Sequence, residues 1–120
     1  VLYFQRLGVS TLRFDFGGSQ IGRGYNQVEQ VKEAAKYLLE LQNTAYILLV
    51  GYSYGSLIAG SASATIPECV ASISIAPPWS VKHWLLCFNS NFHLSQARKR
   101  RDYLKRLMVI GNKDNFTNEK

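Results

Sequence analysis

The residues best suited to chemistry are a serine flanked by glycines, in the pentapeptide Gly51-Tyr52-Ser53-Tyr54-Gly55. A continuous apolar run at residues 46–50 precedes it and is typical of a buried strand, and a segment rich in Leu, Ile and Ala follows. At such a strand-to-helix turn the serine hydroxyl stands clear of the sheet, and the next backbone N–H, that of Tyr54, points at a developing oxyanion. The pattern predicts Ser53 as a nucleophile. The alternative is a tight turn that happens to contain a serine.

A serine hydroxyl is a weak nucleophile unless a histidine takes its proton, and that histidine needs a carboxylate to orient it. The carboxylate and then the histidine follow the serine along a chain of this kind. Asp114 comes directly after an apolar segment, where the acid is expected; the other interpretation is an aspartate that caps a turn. His83 and His93 both precede Asp114, so we interpret them as surface or core residues and expect no base among these residues.

The elements that must position these residues alternate between strand and helix patterns. We predict strands at residues 9–15, 46–50, 70–75 and 107–110, and helices at 2–7, 26–42, 57–65 and 94–105. Gly8 should end the first helix, and Asn26 should cap the second, with Glu29 completing a capping box. This alternation predicts an α/β fold with three layers (α/β/α) and a mainly parallel sheet, with sites at the carboxyl ends of the strands.

Composition narrows the class of protein. The 120 residues suit one domain or part of one, and 47 % hydrophobic residues with 18 % charged ones exclude a disordered chain. The longest apolar run is too short to cross a bilayer and no signal peptide is visible, so we expect a cytoplasmic protein without a membrane span. Cys69 and Cys87 have neither CxxC nor zinc-ligand spacing and are interpreted as buried thiols. We expect neither a metal nor a cofactor.

The positive charge is concentrated in one segment. The net charge is +6, and residues 98–106 contain six basic residues and one acidic residue. A helix bearing Arg98, Lys99, Arg100 and Arg101 could bind an anionic partner. The alternative function is therefore a non-catalytic binding module that uses residues 98–106, and the simplest interpretation is a solvated helix face.

Three motifs in order resemble the α/β-hydrolase superfamily, and within it a poorly characterised group of cytosolic serine hydrolases. They are Arg13-Phe14-Asp15-Phe16-Gly17-Gly18, Gly51-Tyr52-Ser53-Tyr54-Gly55-Ser56 and Gly111-Asn112-Lys113-Asp114-Asn115-Phe116. The segment Ile75-Ala76-Pro77-Pro78-Trp79 also resembles the family's strand after the elbow helix. The resemblance covers nearly the whole chain.

The resemblance implies hydrolysis of an ester, thioester or amide, with Ser53 as nucleophile, the Tyr54 N–H in the oxyanion hole and Asp114 as the acid. Residues 79–92, with Trp79 and Trp84, would line a pocket for an apolar acyl or leaving group. The family's earlier strands and its histidine-bearing segment have no counterpart here. Residues 1–120 are therefore expected to be the central part of a single domain, inactive and prone to aggregation without the rest.

Overall fold

The computed structural model describes residues 2–17, 23–86, 89–99, 102 and 104–115. Within these ranges helices and strands alternate from Tyr25 onward, after one short N-terminal helix. The helices are α1 (Leu2–Arg6), α2 (Tyr25–Gln42), α3 (Tyr54–Ser63), α4 (Lys82–Leu85) and α5 (Ser90–Arg98), with a 3-10 turn at Trp79–Val81. The strands are β1 (Ile47–Tyr52), β2 (Cys69–Ile75) and β3 (Lys105–Val109).

The three strands form one parallel sheet in the order β1-β2-β3. Val50 lies beside Ile73, and Ile73 lies beside Leu107, so the strands end at the same edge. The prediction of an α/β fold with a parallel sheet is confirmed at this level. Among the described residues, no helix is both long and apolar enough to cross a bilayer.

Helices cover one face of this sheet. Residues of β1 alternate, with Ile47 and Gly51 buried and Leu48, Val50 and Tyr52 exposed. We call the side of Ile47, Leu49 and Gly51 the covered face and the side of Leu48, Val50 and Tyr52 the open face. The core lies between the covered face and α2, α3 and the segment around α4. Its residues are Val28, Val31, Ala35, Ile47, Leu57, Ile58, Ala62, Ile66, Cys69, Leu86 and Leu104.

The prediction that the strand at 46–50 is buried on both faces is wrong for the described residues. Val50 is 58 % exposed, and Leu107 beyond it on β3 is also exposed. No helix in the described ranges packs on the open face, so these residues supply one helical layer and not two. An apolar run carries no alternation to reveal which of its sides is covered, and this is why the sequence did not distinguish the two faces.

The predicted strand at residues 9–15 is also wrong, because the chain is irregular from Val9 to Gly17. Val9, Leu12 and Phe14 are largely exposed. Alternating β-prone side chains favour a strand, but a strand also needs a neighbour that offers backbone hydrogen bonds. Within the described part of the chain, no such neighbour pairs with this segment.

Two helix boundaries differ from the predicted ones. Helix α2 is capped by Gly24 in a left-handed conformation (φ 81°) without a side-chain cap, so the capping box from Asn26 to Glu29 is wrong. Glu29 instead pairs with Lys32 at 2.9 Å. Helix α5 ends at Arg98, so the predicted helix through residue 105 is wrong as well, whereas Gly8 (φ 75°) does follow α1 as predicted.

Candidate functional site

The turn between β1 and α3 has the backbone of a strained elbow. Ser53 has φ 50° and ψ −122°, a combination that few residues other than glycine adopt. Its peptide is held on both sides: its N–H donates to the Ile75 carbonyl (2.9 Å), and its carbonyl accepts from the Ser56 N–H (3.0 Å) and hydroxyl (2.6 Å). Strain of about 1–3 kcal/mol persists only where the surroundings fix the residue in this way. The hydroxyl itself makes no hydrogen bond to any described residue.

The first glycine of the elbow is required by close packing. A Cβ at Gly51 would lie 2.4 Å from the Gly55 carbonyl oxygen and 2.5 Å from the Ser56 Cα, so α3 runs directly against the backbone of β1. A Cβ at Gly55 would meet nothing within 4 Å in the described structure. Close packing therefore requires a glycine at position 51 and does not require one at position 55.

Tyr54 is the first residue of α3, so its backbone N–H belongs to the helix N-terminus, where the helix dipole favours negative charge. Its ring packs edge-on against Phe16, with the ring centroids 6.2 Å apart. The sequence placed Tyr54 at the oxyanion position, and the start of α3 directly after Ser53 is compatible with that prediction.

Asp114 lies at the same edge of the sheet as Ser53 without touching it. A turn beyond β3 closes with a hydrogen bond from the Asp114 N–H to the Gly111 carbonyl (3.0 Å), and the residue is half-buried. Strand β2 separates β1 from β3, so these two outer strands are about 10 Å apart. The predicted nucleophile and acid thus both follow strands that end at one edge of the sheet, with β2 between those strands.

Neither histidine serves Ser53. His93 is 3 % exposed, and its Nε2 donates to the Arg23 carbonyl (2.6 Å) while its Nδ1 pairs with the Ser61 hydroxyl (2.8 Å). His83 is exposed, and its Nδ1 pairs with the Ser90 hydroxyl. Both were interpreted as surface or core residues, and the structure makes His93 a core residue and His83 a surface residue.

Sequence reasoning missed a second left-handed residue, Ala76, at the end of β2 (φ 47°). Its N–H donates to the Val109 carbonyl (2.8 Å) at the end of β3. The Ser53 N–H makes the corresponding bond from the end of β1 to Ile75 of β2, so hydrogen bonds link the ends of all three strands. Pro77 follows Ala76, and a residue before proline favours extended backbone. The local sequence therefore favours an extended backbone at Ala76 and not the left-handed one.

A second missed feature fixes the segment before α2 that packs against the elbow. The Gln30 side chain pairs with both backbone groups of Gly17: the Gly17 N–H donates to its Oε1 (3.0 Å), and its Nε2 donates to the Gly17 carbonyl (3.2 Å). Phe16, next to this pair, is the residue that contacts the Tyr54 ring. The only sign of this contact in the sequence was the position of Gln30 on a helix face beside buried residues.

The two tryptophans predicted to bind substrate occupy different environments. Trp79 is half-buried after β2, and the Lys82 ammonium lies 5.6 Å from its ring centroid and donates to its carbonyl (3.0 Å). Trp84 is 74 % exposed on α4. A role for either residue in binding substrate stays a prediction.

The basic segment does not form one helix face. Arg98 and Lys99 are exposed at the end of α5, and Arg100 and Arg101 lie outside the described residues. Arg106 extends from β3 and donates to the Ala97 carbonyl. An anionic partner for this segment stays a prediction.

In the described ranges, no three His, Cys, Asp or Glu side chains are grouped closely enough to hold a metal ion. Cys69 is buried as a free thiol, as predicted, whereas Cys87 lies outside the described residues.

A scan against protein-family models and searches of curated proteins and of solved structures find no match to this chain. The function of this protein must therefore be inferred from the geometry of the site.

Proposed function

We propose that this chain is part of an α/β-hydrolase-type serine hydrolase that cleaves an ester, thioester or amide. The observation that carries the proposal is the backbone of Ser53: a serine in a strained left-handed conformation, between a parallel strand and the helix that packs directly on it. A serine at such a turn is presented as a nucleophile in this fold class. The proposal includes the full three-layer fold, with a further layer on the open face.

The proposed chemistry is acyl transfer through the serine oxygen. Ser53 Oγ attacks the carbonyl carbon of the substrate, its proton passes to a base, and the Tyr54 N–H donates to the oxyanion that forms. The tetrahedral intermediate then collapses, the bond to the alcohol, thiol or amine breaks, and this group leaves with the proton held by the base. Water, which gives a proton to the base, attacks the acyl-enzyme, and the carboxylic acid is released as the proton returns to Ser53 Oγ. Asp114, in the turn that follows β3 at the same edge of the sheet, would orient the base.

The base is proposed to be a histidine from outside these residues. His93 uses both ring nitrogens for the Arg23 carbonyl and the Ser61 hydroxyl, and His83 pairs with Ser90. Activity is thus proposed for a longer protein of which these residues are the central part. An apolar acyl group would lie near Trp79, which directly follows the carboxyl end of β2.

Labelling of the full-length protein with a fluorophosphonate tests the nucleophile. The probe forms a covalent bond to an activated serine oxygen and releases fluoride, so Ser53→Ala should abolish labelling, measured by intact mass and by in-gel fluorescence. Ser10→Ala is the matched control, because Ser10 is also a serine but is exposed and bonded to Gln42 far from the elbow. Labelling of the Ser53→Ala protein at the parent's rate would refute the assignment.

A further inference from the structure

Beneath α5, on the covered face, lies a cavity of 340 Å³ whose described lining includes Trp79 but none of the groups proposed to react. Its walls come from α3, α5 and the two strands β2 and β3, with apolar side chains such as Leu57, Leu94 and Met108. Ser53 is not among its described lining residues. Its volume is at the small end of the range for ligand pockets, roughly 300–1,000 Å³. It can therefore hold a small molecule with a hydrocarbon body.

One serine places its side chain along this cavity. Ser72 on β2 is 3 % exposed as a residue and lines the cavity, with Ser74 next on the same face. The Ser72 oxygen is not among the fully enclosed, unpartnered side-chain atoms of the described residues. A hydroxyl that lines the cavity in this way can donate to or accept from a polar atom of an occupant.

The charge around the cavity has one sign. Lys82 and Arg106 line it, and no acidic side chain does so among its described lining residues. The Lys82 ammonium uses one of its three donors on the Trp79 carbonyl and makes no other hydrogen bond within the described part of the chain. An occupant that satisfies both this cation and the Ser72 hydroxyl carries a negatively charged acceptor.

We propose that this cavity binds a small aliphatic carboxylate, of about the size of octanoate, at a site separate from Ser53. The apolar walls take the hydrocarbon chain, and Lys82, Arg106 and the Ser72 hydroxyl take the carboxylate. The site shares Trp79 with the proposed acyl-group contact, but none of the groups proposed to react, Ser53, the Tyr54 N–H and Asp114, is among its described lining residues. Octanoate binding can therefore fail while the hydrolase proposal stands.

Titration of the full-length protein with sodium octanoate tests the proposal. Trp79 lines the cavity, and the described chain contains only one further tryptophan, the exposed Trp84. With Trp84→Phe in the background, Trp79 fluorescence reports on the cavity with less overlap from the rest of the protein. We expect a saturable change with octanoate. 1-Octanol has the same chain without the charge and should bind about 10-fold more weakly, because charge-assisted hydrogen bonds are lost.

Variants locate the binding site. Lys82→Gln and Ser72→Val should each weaken octanoate binding about 10-fold. Lys36→Gln, an exposed lysine on α2, should leave the affinity unchanged, as should Ser53→Ala. Lys82 is only half-buried, so its variant keeps the test valid even where Ser72→Val disturbs the core. No saturable change in the parent, parent affinity in Lys82→Gln, or loss of binding in Ser53→Ala would each overturn the proposal.

Discussion

The two faces of the sheet differ far more in how deeply their side chains are buried than in the types of residue that they carry. On the covered face, α3 packs so closely that Gly51 has no room for a Cβ, and Ile58 of that helix is 0 % exposed. On the open face, one residue along the same strand, Leu48, Val50 and Tyr52 are all largely exposed. The same strand thus takes part in a close-packed core on one side and presents an apolar surface on the other.

This difference shows that the packing on the covered face determines the fold. The helices that follow β1 and β2 pack on the covered face, and every element that holds the elbow belongs to that side. Contiguous exposed apolar surface of the kind seen on the open face is rare on monomeric proteins and normally marks a contact surface. This agrees with the proposal that a further layer covers the open face. The two faces can therefore be compared by the free energy of unfolding of variants on each face.

The largest loss of stability should come from truncating an aliphatic residue of the core, and a residue of the open face gives the comparison. Ile58→Ala removes a fully buried side chain and should lower the free energy of unfolding by about 3–4 kcal/mol. Val50→Ala on the open face should cost about 2 kcal/mol in the full-length protein, because the proposed further layer would bury a side chain that residues 1–120 leave exposed. Urea denaturation of the full-length protein measures both values. A loss below about 1 kcal/mol at Val50, as for an exposed side chain, would contradict the proposed layer over this face.

A smaller effect tests the close approach of α3 to β1. Gly51→Ala forces a Cβ against backbone atoms of Gly55 and Ser56 and should destabilise the protein by about 2–3 kcal/mol. Gly60→Ala is the matched control, because a Cβ there meets nothing within 4 Å in the described structure. Replacing a glycine inside a helix should stabilise the protein by about 0.5–1 kcal/mol. If the two alanines had the same effect in thermal denaturation, the packing described for Gly51 would be wrong.

The smallest effect concerns the backbone strain at the elbow. Ser53→Gly relieves a conformation that costs about 1–3 kcal/mol, against a smaller loss from the extra freedom of glycine in the unfolded chain. We expect a net gain of about 1 kcal/mol in the free energy of unfolding. Ser53→Ala keeps a Cβ and hence the strain, so it should change the stability little. A Ser53→Gly protein less stable than the Ser53→Ala protein would contradict the strained geometry.

The elbow could be predicted from the sequence because its signals are local. An apolar run, a serine between glycines and a helix-forming segment lie within about twenty consecutive residues, and each agrees with the others. The parallel sheet followed from the same alternation. Asp114 was expected just past the end of the last strand, and the structure has it in the turn that follows β3.

The features that could not be predicted depend on partners distant in sequence. Residues 9–15 have the composition of a strand, but pairing depends on a neighbour that the pattern does not contain. Ala76 adopts its left-handed backbone at the end of the sheet, against the preference of a residue before proline. The end of α5 at Arg98 follows from the turn of the chain into β3, where the basic residues continue as a strand.

The buried His93 also has a consequence for the order of folding. Its ring joins the Arg23 carbonyl, 70 residues earlier, to the Ser61 hydroxyl, 32 residues earlier. Contacts so distant in sequence close large loops, and chains pay that entropy only after local structure has formed. We therefore expect the imidazole to insert late in folding, after α3 and α5 have formed and the segment before α2 has come into contact with them.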